Sequence, residues 1–122
     1  MTQQIVIITG ALFGMLSVIF GAFGAHALKK IATPELLKSF ETGVKYQMYH
    51  AIVLLILGFN INYISTPMYT CFTLGIILFS FSIYGLVLSS AKGKKIPLLG
   101  PITPIGGLLL VIGWLLLIIR FI

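Results

Sequence analysis

The sequence predicts an all-α, polytopic membrane protein. It reads as a single domain over residues 1–122, with four transmembrane helices in a bundle and a short interfacial amphipathic helix before the second span. Three observations carry this. The 122-residue chain is 59% hydrophobic and only 8% charged, against about 25% charged residues in soluble domains, and so few charges cannot cover a water-facing surface. The apolar residues fall in runs long enough to cross a ~30 Å hydrocarbon core. The lysines gather in two short segments between those runs rather than over one face.

The first span covers residues 5–27. Its end, "AHA" at 25–27, has the look of a signal-peptidase site, but "MTQQ" lacks a basic leader and the run is too long for a cleaved signal. Thr33-Pro34 then supplies a helix start, threonine as N-cap and proline at the first position. In the turn that follows, Leu36, Leu37, Phe40 and Val44 share one side and Glu35, Lys38, Ser39, Glu41 and Lys45 the other. This is the pattern of a helix lying at an interface, leading through a bend at Gly43 into a second span over 46–63. "NINYISTP" is a short neutral turn, and Pro67 opens a third span over 67–90. After the basic loop "AKGKKIPLLGP", Thr103 as N-cap and Pro104 open the fourth, over 104–121.

Orientation follows from the charges. Lys29, Lys30, Lys38 and Lys45 lie between spans one and two, and Lys92, Lys94 and Lys95 between three and four; Arg120 alone lies at the other end. Short Lys/Arg-rich loops stay in the cytoplasm, which puts both termini on the extracytoplasmic side of the cell membrane. Tyr46 and Tyr49 then mark the inner interface, and Tyr63 and Tyr69 the outer one. The net charge of +6 reads as topology and attraction to anionic lipid rather than nucleic-acid binding. Cys71 lies inside an apolar run as a packing residue. Gly10, Gly14, Ser17, Gly21 and Gly24 form one small-residue stripe along span one that lets another helix approach closely. The stripe leaves open whether that helix is in the same chain or a second copy; the small size of the chain favours a homo-oligomer.

"GAFGAHALK" (21–29), "FETGVKYQMYH" (40–50), "LFSFSIYGLVLS" (78–89) and "GPITPIGG" (100–107) together resemble the small four-span bacterial membrane proteins of the domain-of-unknown-function family 423. Eukaryotic transmembrane protein 256 looks related. The resemblance covers nearly the whole chain and implies a four-helix membrane protein without implying an activity. Gly43, Tyr46, Gln47 and His50 fit the family pattern, which has a small residue where this chain carries Phe81. Those four positions are spaced i, i+3, i+4, i+7, one stripe of a helix. With the ends of spans one and four beside them, they suggest a polar pocket at the cytoplasmic side, lined by His26, Gly43, Tyr46, Gln47, His50 and Thr103. Against each stands a simpler role: tyrosine as a belt residue, His50 as a hydrogen-bonding group between helices, and Thr103 as a cap.

Two histidines and a distant Glu35 or Glu41 match no metal-ligand spacing, and no cofactor motif is present. No nucleophile or paired carboxylate points to an enzyme. The favoured reading is a non-enzymatic membrane component that binds lipid headgroups or a partner protein and supports envelope integrity. A small oligomeric channel or transporter is the alternative, although no acid lies deep in a span to relay protons. A membrane enzyme using His26 or His50 is the third.

Overall fold

The computed structural model describes residues 1–122 as four long helices without a strand. Helix α1 spans Gln3–Ala25 and is capped by Thr2, whose hydroxyl accepts the Ile5 N–H at 3.2 Å. A 3₁₀ turn over Leu28–Lys30 leads to α2, Pro34–Phe59. Here Thr33 is the N-cap, accepting the Leu36 N–H at 3.2 Å, and Pro34 sits where its missing N–H costs nothing. A second 3₁₀ turn, Ile61–Tyr63, precedes α3, Thr66–Ala91, capped by Ser65. Within α3 the stretch Ile77–Phe81 winds as a π-helical turn. Gly93 closes the end of α3 with φ +75°, a left-handed conformation that glycine adopts without steric cost. Helix α4 spans Leu99–Arg120.

Three of these segments are long and apolar enough to cross a membrane: Gln3–Lys30, Thr66–Ala91 and Leu99–Arg120. Helix α2 is not among them. Glu35, Lys38, Glu41 and Lys45 load its first half with charge, and Gln47 and His50 follow.

Several expectations are corrected here. The amphipathic piece and the second span are one unbroken helix ending at Phe59, not a separate interfacial helix followed by a span to Tyr63. Gly43 does not bend it. A Cβ on Gly43 would stand 2.9 Å from a Tyr84 ring carbon, so the glycine makes room for a neighbour on α3. Helix α4 starts at Leu99, five residues before its expected start, and Pro104 lies inside it. Thr103 is therefore no N-cap; its hydroxyl bonds Ser82 Oγ at 2.6 Å and the Leu99 carbonyl at 3.3 Å. Pro101, in the first turn, costs no intrahelical hydrogen bond.

The small-residue stripe of α1 is covered by α2 of the same chain. A Cβ on Gly10 would lie 3.0 Å from the Ala51 carbonyl oxygen, and one on Gly24 2.9 Å from the Phe40 ring; Gly14 and Gly21 have ordinary clearance to Ala51 and Val44. Ser17 is buried, its hydroxyl donating to the Phe13 carbonyl at 2.8 Å. Gly58 on α2 returns the favour near the start of α1, against Ile7. The stripe, which left open whether its partner lies in the same chain or in a second copy, is thus filled from within the chain.

The α3–α4 contact uses the same device. Leu110 fills the space left by Gly75, and Phe72 the space left by Gly113. At Gly106 the neighbour is backbone, the Leu78–Phe79 peptide of the π-helical turn. The wider turn carries α3's main chain into α4 at a point where only a glycine lies opposite. Two apolar clusters result. Val6, Phe13, Leu54, Phe72 and Leu110 anchor the larger. Leu28, Phe40, Ile83, Tyr84 and Val87 form the smaller, at the end that carries the lysine loops.

Because the obstacle at Gly106 is backbone and cannot rotate away, Gly106→Ala is expected to destabilise by about 1–3 kcal/mol, the usual cost of overpacking. Gly14→Ala, with its nearest neighbour at 4.0 Å, should be neutral or slightly stabilising. Thermal melting of both variants in one detergent checks the contrast, and equal melting temperatures would remove the packing role assigned to Gly106.

Candidate functional site

The periodicity of α2 decides which polar groups turn inward. Gly43, Gln47 and His50 are buried on one face, whereas Tyr46 lies half-exposed at its edge. Gln47 is fully buried and uses both ends of its amide. Its Nε2 donates to the Phe13 carbonyl on α1 at 2.9 Å, and its Oε1 accepts the Tyr84 hydroxyl of α3 at 2.6 Å. One turn earlier, Ser80 Oγ donates to the Gly43 carbonyl at 2.7 Å. One turn later, the indole N–H of Trp114 on α4 donates to His50 Nε2 at 3.0 Å. His50 Nδ1 lies 2.7 Å from the Tyr46 carbonyl. Since Nε2 accepts, Nδ1 must carry the proton and donate, so the imidazole is neutral with both nitrogens engaged. Phe72 and Trp114 pack around it edge-on to one another, and Tyr46 stacks on its other side.

These contacts assign the polar stripe to interhelix bonding rather than to a cavity wall. Gly43, Gln47 and His50 contact α1, α3 and α4 directly, with no space between them for a ligand. His26 is apart from them, exposed beyond the end of α1 as its C-cap residue. Thr103 is on α4 beside Ser82. The six residues therefore do not line one pocket. No group of three His, Cys, Asp or Glu side chains comes together anywhere.

Two clefts lie at the end of the bundle that carries the lysine loops. The larger, about 470 Å³, opens between the start of α2, the end of α3 and the start of α4. Its apolar wall is Leu36, Ile83, Leu86 and Val87; its polar groups are the hydroxyls of Ser39, Thr42, Ser90 and Thr103, with Lys95 as the one charge. Of the six residues expected in a pocket, only Thr103 is in this lining. The smaller cleft, about 310 Å³, lies between the end of α1 and the start of α2. Gly21, Gly24 and Phe40 line it, with Lys29 and Glu41 as its charges.

Several partners went unseen in the sequence. Ser80 and Tyr84, four apart in an apolar helix, share a face and were the available signal. Trp114 carried none beyond being an indole that needs an acceptor when buried. The hydroxyls of Ser39 and Ser90 gave no pattern, because the cleft assembles them from separate helices.

If Gln47 joins α1 to α3 through Tyr84, Gln47→Leu and Tyr84→Phe should not add independently. A double-mutant cycle on unfolding is expected to return a coupling of about 0.6 kcal/mol, the mean for hydrogen bonds between membrane helices, and at most about 1.7 kcal/mol. A coupling of zero would reduce the pair to a coincidence of position.

Comparisons with known proteins place this chain among membrane proteins. The family model described as "Protein of unknown function (DUF423)" matches residues 20–107, which take in the end of α1, all of α2 and α3 and the start of α4. The chain is 43% identical over 124 residues to a UPF0382 membrane protein of Staphylococcus aureus (strain bovine RF122 / ET3-1), an alignment covering 96% of this chain and 94% of that protein. It is 42% identical, with the same coverage, to one from Staphylococcus haemolyticus (strain JCSC1435). It is 37% identical over 123 residues to the UPF0382 membrane protein YwdK of Bacillus subtilis (strain 168), covering 96% of this chain and 95% of YwdK. No solved structure matches. An all-helical chain with several membrane-length helices, matched along nearly its whole length by proteins named for the membrane, belongs to the DUF423 family.

Proposed function

We propose that this protein is a non-enzymatic component of the cell membrane in which α2 is a fourth crossing helix, both lysine loops are cytoplasmic, both termini are extracytoplasmic, and the cytoplasmic end binds anionic lipid headgroups. The observation that carries the lipid reading is the larger cleft. It has an apolar wall, a row of hydroxyls and one lysine, at the end of the bundle that holds seven of the eight basic residues. An apolar body with a few placed polar groups is what an amphipathic ligand requires, and lysines near the inner leaflet attract its anionic lipids.

Support for the fourth crossing comes from which residues of α2 face outward. Its 26 residues reach roughly 39 Å at 1.5 Å per residue, more than the ~30 Å hydrocarbon core. Gln47 and His50, which lower its apolar character, are turned inward and hydrogen-bonded. The face left to lipid carries Tyr49, Ile52, Ile56 and Phe59, all exposed. Helix α2 also runs the length of α1, from Phe40 against Gly24 to Gly58 against Ile7, so a bilayer that holds α1 holds α2 as well. At the far end, Arg120 donates to the Asn62 carbonyl at 3.0 Å, which ties the one outer basic side chain to a backbone acceptor.

Two measurements test this. In a Cys71→Ser background, Thr2→Cys should react with an impermeant thiol reagent on intact cells, and Lys94→Cys only after permeabilisation. Lys94 is chosen because Gly93 needs its positive φ. Labelling of Lys94→Cys from outside would reverse the topology. In native mass spectrometry, anionic lipid should be retained over zwitterionic lipid, and replacing Lys92, Lys94 and Lys95 by glutamine should weaken retention by about 1 kcal/mol per charge. Equal retention of both lipid classes would remove the headgroup reading.

A further inference from the structure

We infer that the larger cleft selects phosphatidylglycerol among anionic lipids, with the phosphate at Lys95 and the headgroup's glycerol hydroxyls donating to the Gly100 carbonyl. This rests on the anionic-lipid reading above and names the lipid. The volume of about 470 Å³ falls within the ~300–1,000 Å³ typical of small-molecule sites. Lys95 is the only charged residue in the lining, and no acid stands near it there. A net anionic headgroup is therefore matched. An ethanolamine headgroup would bring an ammonium that meets no carboxylate.

What separates one anionic lipid from another is an acceptor without its usual donor. Pro104 lies inside α4. It has no N–H, so the Gly100 carbonyl loses the i+4 hydrogen bond that would otherwise satisfy it. Gly100 and Pro104 both line the cleft, so the turn of α4 that lacks this bond borders the ligand space. A phosphodiester offers acceptors only and cannot meet a carbonyl; phosphatidic acid at best offers its own acidic proton. The two hydroxyls of a glycerol headgroup are neutral donors on a short tether from the phosphate. The hydroxyls of Ser39 and Ser90 can exchange hydrogen bonds with the same diol, while Leu86 and Ile83 face its acyl-chain side.

The proposal is tested with the full-length protein in native mass spectrometry, using phosphatidylglycerol, phosphatidic acid and phosphatidylethanolamine of identical acyl chains. Phosphatidylglycerol should be retained about fivefold over phosphatidic acid, the worth of one hydrogen bond. Pro104→Ala supplies the missing N–H to the Gly100 carbonyl, and Ala is favourable in a helix, so the variant should fold. It is expected to bring that ratio close to one while retention of phosphatidic acid holds. Lys95→Gln should lower both anionic lipids together, and more than Lys92→Gln does, since Lys92 lies outside the lining. Equal retention of the two anionic lipids by the unmodified protein overturns the proposal. So does an unchanged ratio in Pro104→Ala, or displacement of the lipid by glycerol phosphate without acyl chains at equal concentration. If the two anionic lipids are equal but both exceed phosphatidylethanolamine, this inference fails and the headgroup reading stands; if neither exceeds it, both fail.

Discussion

Gln47 bonds two other helices from the middle of α2, and the arrangement of the bundle depends on it. Gln47 is fully buried, where no water is at hand to satisfy its amide, so the side chain must find its partners inside the protein or face a large desolvation cost. Gln47 finds one on each side, a main-chain carbonyl of α1 and the tyrosine hydroxyl of α3. The bond to Phe13 fixes the register of α1 against α2, and the bond to Tyr84 fixes that of α3. Apolar packing alone is tolerant of small slides, because one leucine fits much like another. A bidentate amide is not, since a slip of one turn would strand both ends.

Close approach makes those bonds possible. A side-chain amide reaches a neighbouring backbone carbonyl only if the two helices lie near one another, and on α1 and α2 that proximity comes from Gly10, Gly24 and Gly58. Between α3 and α4 the same role falls to Gly75, Gly106 and Gly113. The π-helical turn adds something the glycines do not. By widening α3 over Ile77–Phe81, it changes the phase between the residues before and after it. Phe72 and Gly75 then meet α4 from one side of the turn, while Ser80 within it and Tyr84 beyond it reach α2. Ser82 Oγ bonds the Leu78 and Phe79 carbonyls, which supports the main chain where the regular ladder is interrupted. Phe81, at the end of the turn, sits among Phe13, Phe20 and Tyr84, so the large residue at this position is accommodated at an aromatic junction.

Local signals were legible in the sequence, and tertiary ones were not. Thr33 and Pro34 announce the start of α2 because capping is settled within four residues. The start of α4 was missed because Leu98 offers no side-chain cap and because Thr103-Pro104 imitates one. Gly43 read as a hinge because a glycine in a helix has two physical explanations, freedom or room, and only the position of Tyr84 separates them. The stripe Gly43, Gln47, His50 was legible as a face from its spacing, yet it pointed to a cavity. Its partners lie 37 and 64 residues away in the chain, beyond the reach of any local pattern. The larger cleft was illegible for the same reason: Ser39, Ser90 and Lys95 become neighbours only after three helices have packed.

The contact between Trp114 and His50 has a practical consequence. Trp114 is the single tryptophan of the chain, and its indole N–H is bonded to the imidazole across the α2–α4 boundary, with the Phe72 ring against its side. The tryptophan fluorescence of the protein, excited apart from its five tyrosines, therefore reports on one junction only. Any rearrangement that draws α4 away from α2, whether by lipid exchange, detergent or heat, exchanges an imidazole neighbour for hydrocarbon or water and must register in the emission. The bundle thus carries an optical gauge of its own closure, with no label added.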